Sequence, residues 1–172
     1  MFQIFCDGED VLKKFREKYV THTKGFFILA PSGSGKTYFV KNQAKQDWID
    51  GDEIWMATNA HPQTNWWTEG IDVINEVEQK SDIITKQAKE AGLWIMGASC
   101  YWLMPDAIVL PDWSINKKYI KYREANNYDG GAKSDALDQV KNHRKYMQKI
   151  ARKNKIPIFK SIGEAVDYLK NI

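Results

Sequence analysis

Short apolar runs alternate along this chain with longer stretches whose apolar residues recur at helical spacing. Residues 25–30, Gly-Phe-Phe-Ile-Leu-Ala, form an apolar run ending in a glycine-rich loop, the pattern of a strand buried on both faces. Trp48-Ile49 reads as a second short strand with a turn at Asp50-Gly51-Asp52. Leu93–Met96, Ala107–Leu110 and Ile156–Phe159 read as three more strands. Helices are predicted from Gly35 to about Gln46 and from Ile71 to Ala91. The latter has Ile74, Val77, Ile84 and Ala88 at helical spacing and Gly92 as its stop. A long polar helical region over 114–153 is interrupted near Asn126–Gly131, and a helix over Ile162–Leu169 closes the chain. The first 24 residues, with Val11, Leu12 and Phe15 on one helical face, predict an added strand–helix extension. Strand–helix alternation of this kind predicts an α/β domain, a parallel sheet covered by helices on both faces.

Length and composition narrow the class. A chain of 172 residues, 43% apolar and 13% aromatic, suits one domain over 1–172 with a packed interior. No apolar run reaches the roughly eighteen residues that a membrane span needs. The opening Met-Phe-Gln-Ile-Phe-Cys-Asp-Gly-Glu-Asp turns acidic too soon for a secretory signal, so the expected location is the cytoplasm. Cys6 and Cys100 lack metal-ligand spacing and are expected as reduced, half-buried thiols. The net charge is only +3, yet Lys141, Arg144, Lys145, Lys149, Arg152, Lys153, Lys155 and Lys160 follow one another with no acid among them. Such a block fits a solvated helix face as well as a binding surface, and polyanionic substrates would tip it towards binding.

The chemistry is carried by Ala30-Pro-Ser-Gly-Ser-Gly-Lys-Thr37. It matches the phosphate-binding pattern G-x-x-x-x-G-K-[ST], with Ala30 in place of the first glycine. Gly33 and Gly35 let successive backbone N–H groups point inward as an anion nest, and the helix that follows turns its positive end to the same point. Lys36 supplies a point charge to the β- and γ-phosphates of a nucleotide, most naturally ATP, and the Thr37 hydroxyl is a Mg²⁺ ligand. Ser32 and Ser34 add hydroxyl donors. A strand before the loop and a helix after it argue against coincidence.

The loop, a short strand and then Asp50-Gly51-Asp52 together resemble the small P-loop kinases of the nucleotide and sugar kinase group. Adenylylsulfate kinase and gluconate kinase carry the same Asp-Gly-Asp after their second strand. The resemblance spans about residues 25–170 and rests on these two motifs. It implies a three-layer P-loop kinase fold with a five-stranded, mostly parallel sheet, an acceptor-binding segment after strand two and a helical lid. In relatives that phosphorylate alcohols, an Asp at the end of strand two resembles this one, so Asp52 is the candidate base for an acceptor hydroxyl. Asp50 is a candidate to hold Mg²⁺ through water. The metal-polarising Asp usual at the end of strand three is absent here, where Gly97-Ala98-Ser99 stand; either Asp50 or, more weakly, Ser99 fills that role.

Residues 50–68 contain no Lys or Arg, which favours a neutral hydroxyl over a phosphate as acceptor. Asn59, His61, Gln63, Asn65, Trp66 and Trp67 combine amides, which read base edges, with rings that stack on bases. Trp55, Tyr101, Trp102 and Trp113 add to that surface or fill the core. His143, on a basic helix, is expected at the surface. The lid is expected within about 114–145. Arg123 and Arg144 would close over the transferring phosphate there, and Gly130 and Gly131 would allow the swing. The viral P-loop kinases that phosphorylate 5-hydroxymethyluracil within DNA are a further point of resemblance, and they imply a nucleoside, nucleotide or DNA acceptor. Two alternatives stand beside this. One is a deoxynucleoside monophosphate kinase using Arg123, Arg144 or Arg152 on the acceptor phosphate. The other is a nucleotide-binding switch or DNA-binding module without transfer.

Overall fold

The computed structural model describes residues 9–58, 66–128 and 131–172. Its elements follow the chain as α1 (Glu9–Lys18), β1 (Phe26–Leu29), α2 (Lys36–Lys41), β2 (Trp48–Asp50), α3 (Gly51–Thr58) and α4 (Ile71–Glu90). They continue with β3 (Trp94–Gly97), β4 (Ala107–Val109), α5 (Trp113–Ala125), α6 (Leu137–Asn154), β5 (Ile158–Phe159) and α7 (Ile162–Lys170). The five strands form one all-parallel sheet in the order β2-β3-β1-β4-β5.

Side-chain alternation along β1 splits the interior into two layers. Phe27 and Leu29 face a core built with Val11 and Phe15 of α1, Ile84 and Ala88 of α4, and Met147 and Ile150 of α6. Phe26, Ile28 and Ala30 face the opposite core, which holds Phe39 and Val40 of α2 with Ile162, Ala165, Val166 and Leu169 of α7. A small third cluster of Ile120, Val140 and Ala132, flanked by Trp113 and Leu137, ties α5 to the start of α6.

The topology also places a crevice. From β1 the chain runs out towards β2, and from β4 it runs the other way towards β5. The carboxyl ends of these two neighbouring strands therefore open between loops that diverge, the usual place for a ligand in a parallel sheet. The loop after β1 and the start of α5 border that opening.

The five strands expected from Gly25 onwards all form, and the sheet is wholly parallel. Three local expectations need correction. The helix expected from Gly35 to about Gln46 stops at Lys41. Asn42 caps it by donating from its side chain to Tyr38 O at 2.8 Å. The Gln43 side chain is taken up by the next strand, bonding the N–H and the carbonyl of Trp48. The turn expected at Asp50-Gly51-Asp52 is the first turn of α3 instead, because Asp50 Oδ1 accepts from Asp52 N at 3.0 Å and holds the helix start. The last strand is shorter than expected, beginning at Ile158. The helix of the N-terminal extension forms; its expected strand lies outside the described residues. Among the described residues no helix is long and apolar enough to cross a membrane.

Candidate functional site

Ala30 keeps the register of β1 one residue past the strand, donating to Gly97 O at 2.9 Å. The loop then turns through Gly33 at φ 79° and Gly35 at φ 91°, left-handed conformations that disfavour any side chain. A methyl group on Gly33 would stand 2.5 Å from Ile120 Cγ1 and 2.9 Å from Asn116 Nδ2, so α5 packs directly on the loop. The Ser34 hydroxyl donates to Pro31 O at 2.6 Å and staples the turn. Among the described residues the amides of Gly33 and Gly35 donate no backbone hydrogen bond.

Lys36 opens α2, and its ammonium folds back to donate to Ala30 O at 2.8 Å and Pro31 O at 2.9 Å. Burial lowers its pKa to about 8, against the attraction of the Asp50 and Asp52 carboxylates and with some repulsion from Arg123. One residue on, Thr37 Oγ1 donates to Asp50 Oδ2 at 3.0 Å. Asp50 ends β2 and is only 9% exposed, and with Asp52 N on its other oxygen its carboxylate is engaged on both sides. Asp52 accepts from Trp55 Nε1 at 3.3 Å, and its side chain is open to solvent. The protein around it desolvates the carboxyl and, with the Asp50 charge, raises its pKa; Lys36, the Trp55 bond and Arg123 pull the other way.

Two arginines reach this centre from the opposite side. Arg123 Nη2 donates to Ser32 Oγ at 2.9 Å, and Ser32 Oγ also accepts from Ala132 N at 2.9 Å. The Arg123 guanidinium stacks over Tyr128, 5.5 Å from its centroid. It lies against Gly131, whose left-handed φ of 72° is the conformation that favours a glycine there. Its Nε is buried without a partner among the described residues. Arg144 reaches less far. Its Nη1 donates to Asn116 Oδ1 at 3.1 Å, and its guanidinium lies over Trp113. Burial lowers the pKa of both arginines.

A second polar group sits where α4, the segment after β3 and α6 meet. Glu78 is hydrogen-bonded to Ser99, and burial together with the Asp82 charge pushes its pKa up to about 7. Asp82, 2% exposed, accepts from the amides of Tyr101, Trp102 and Leu103 at 2.9, 2.7 and 2.9 Å. This carboxylate fixes the segment that presents Tyr101 and Trp102 to solvent. Cys100 beside it is a buried free thiol rather than a half-buried one. Burial, then Asp82 and Glu78, push its pKa up to about 12, which leaves it unreactive. His143 is not the surface residue expected. It is half-buried, its ring stacks on Tyr146, and burial followed by the Lys36 charge pushes its pKa down to about 4, so it is neutral.

The residues expected from the sequence therefore divide. Ser32, Gly33, Ser34, Gly35, Lys36, Thr37, Asp50, Asp52 and Arg123 come together, and Arg144 joins them through Asn116. Trp66 is 7% exposed and packs edge-on to Trp55 and Trp67, so it serves as a wall, whereas Trp67 is half-buried. Asn59, His61, Gln63, Asn65 and Gly130 lie outside the described residues, as does Cys6. Asn116 and His143 were not foreseen beside the loop. For Asn116 the available signal was an Asn at an inward position of α5. Among the described residues no group of three or more His, Cys, Asp or Glu could hold a metal ion by itself. Comparison with protein-family models and with curated proteins finds no match.

Proposed function

We propose that this chain is a P-loop kinase that binds MgATP at Ala30–Thr37 and transfers the γ-phosphoryl group to a hydroxyl on a nucleoside or nucleic acid. The observation that carries it is one constellation. A loop with two left-handed glycines leads straight into Lys36 and Thr37, and Thr37 meets Asp50 at 3.0 Å with Asp52 two residues beyond. The central place of β1 in the sheet, with its loop at the diverging crevice, supports the same assignment.

The residues fit the groups such a reaction needs. Free amides at Gly33 and Gly35 beside an ammonium suit a polyphosphate. The oxygens of Thr37 and Asp50 are hard donors of the kind Mg²⁺ takes when phosphates and water fill its other positions. Mg²⁺ held by these oxygens would supply positive charge to the phosphates.

The chain's own residues supply the rest. Lys36 exchanges the carbonyls of Ala30 and Pro31 for phosphate oxygens. Arg123, anchored on Ser32, brings a second positive charge to the loop. Asp52 receives the proton of the acceptor hydroxyl while the new oxygen–phosphorus bond forms. The bond from the γ-phosphorus to its bridging oxygen breaks, and ADP departs with that electron pair. Asp50 is held by Thr37 and by the start of α3, so Asp52 is the carboxylate left open for this task.

Several features favour a neutral acceptor with a base. Asp52, exposed in the first turn of α3, puts an acidic group where a second phosphate would otherwise have to sit. Arg152, one of the cations a monophosphate acceptor could use, is exposed in the last turn of α6, about 12 Å along the helix from Arg144. Tyr101 and Trp102, 46% and 44% exposed, offer flat rings to a base.

The test is transfer from γ-labelled ATP to deoxynucleoside monophosphates, hydroxymethyl-deoxyuridine and DNA containing hydroxymethyluracil. Label on the hydroxymethyl compounds is expected. Label confined to the monophosphates would replace the hydroxyl acceptor with a phosphate, and binding of ATP with no transfer would leave a switch.

A further inference from the structure

We infer that Asn116 is a positioning residue that aims the glycine loop at phosphate and ties the loop to Arg144. This deepens the phosphate-site assignment and rests on it. Asn116 is fully buried, at 0% exposure, on the face of α5 that meets the loop. Its amide nitrogen donates to Ser32 O at 2.8 Å and Gly33 O at 3.1 Å, and its amide oxygen accepts from Arg144 Nη1 at 3.1 Å. These partners fix the orientation of the amide. Two carbonyls on one end demand the NH₂ group, and a guanidinium on the other demands the oxygen.

The bonds have a directional consequence. In a planar trans peptide the N–H points opposite to the C=O. Holding the carbonyls of Ser32 and Gly33 on α5 therefore turns the N–H groups of Gly33 and Ser34 away from it, to the side where an anion would sit. The fit is close on both sides, since Gly33 has no room for a Cβ against Asn116 and Ile120. Arg144 is oriented by a neutral amide rather than by a bonded carboxylate, and the Asp112 charge that also attracts it is shared with Lys160. One side chain thus sets the amide cradle and one of the cations beside it.

Asn116→Asp separates the two tasks. The introduced carboxylate can still accept from Arg144 but offers no donor to the loop carbonyls. Arg144→Ala leaves the donors to the loop in place. Binding of Mg·ADP and of AMP would be measured by titration against a fluorescent ADP analogue, with AMP read by competition. AMP has no β-phosphate for the loop to hold.

Asn116→Asp is expected to cut the preference for ADP over AMP by roughly tenfold, the worth of two lost or repelled hydrogen bonds. Arg144→Ala is expected to leave that preference unchanged. A variant weakened merely by unfolding would lose both ligands alike. Should Asn116→Asp not fold, Asn116→Ser, which keeps one donor in a smaller side chain, makes the same comparison, with a smaller loss expected. An unchanged preference in a folded variant would overturn the role of Asn116 alone. Wild-type protein that binds ADP no better than AMP would overturn the phosphate site itself, and this inference with it.

Discussion

Asp50 and Asp52 stand two residues apart and meet opposite surroundings. Asp50 is buried, with one oxygen on Thr37 and the other on a backbone amide. Asp52 opens to the cleft with a carboxyl pKa raised by desolvation and by Asp50. A group acting as a base must be deprotonated, so kcat/KM should rise with pH through a midpoint above the ordinary carboxylate value near 4. Lys36 acts as a cation, and its pKa of about 8 in the free protein places the falling limb there. A pH profile of kcat/KM for the wild type should thus be bell-shaped, and Lys36→Arg should remove the falling limb. A flat profile up to pH 9.5 would exclude Lys36 as the titrating group. Lys36 and Thr37 are legible in the sequence through the loop motif, and Asp50 and Asp52 through the Asp-Gly-Asp that follows the second strand, because each motif fixes its spacing along a few bonds. Asn116 and His143 are not, since each is brought near the loop by the packing of a long helix against a distant segment.

Among the elements, α5 does most to shape the cleft. Its inward residues Asn116, Ile120 and Arg123 recur about one turn apart, and all three meet the glycine loop. The position of this helical region and its interruption before α6 are readable from the sequence. Its docking on the loop is not, because the polar pattern of 114–125 resembles any solvated helix. The shortening of α2 has a similar origin: Gln43 fits a helix by propensity, yet its side chain does more for the edge of β2. Arg144, held on Asn116 at the joint of α5 and α6, should matter for transfer and little for nucleotide capture. Arg144→Ala should lower kcat by about tenfold or more with Kd for ATP nearly unchanged, as a charge used in the transition state requires. Parallel losses in Kd and kcat/KM would assign Arg144 to ground-state binding instead.

Over the whole molecule, one parallel sheet carries the cleft on its carboxyl edge, and α1 thickens the face away from α2 and α7. The alternation of strands and helices makes the sheet legible. The order β2-β3-β1-β4-β5 is not, since nothing local in the chain says which strands will be neighbours. The extension α1 is integral to the core: Val11 and Phe15 are fully buried, and Lys18 and Tyr19 both bond Glu53 of α3. Phe15→Ala should therefore cost about 3–5 kcal/mol of unfolding free energy in denaturant titrations. A loss below about 1 kcal/mol would make α1 an appendage, since exposed positions cost that little.

The central claim is that the constellation around Lys36 and Asp52 transfers phosphate to a hydroxyl. The most direct measurement is the rate at which γ-label from saturating MgATP appears on a hydroxymethyl acceptor, for wild-type protein and for Asp52→Asn. A fall of about 10²-fold or more, with ATP affinity unchanged, is the predicted result. Equal rates would remove Asp52 from the chemistry, and a wild-type protein that binds ATP but labels no hydroxyl would contradict the assignment as a kinase of hydroxyl groups.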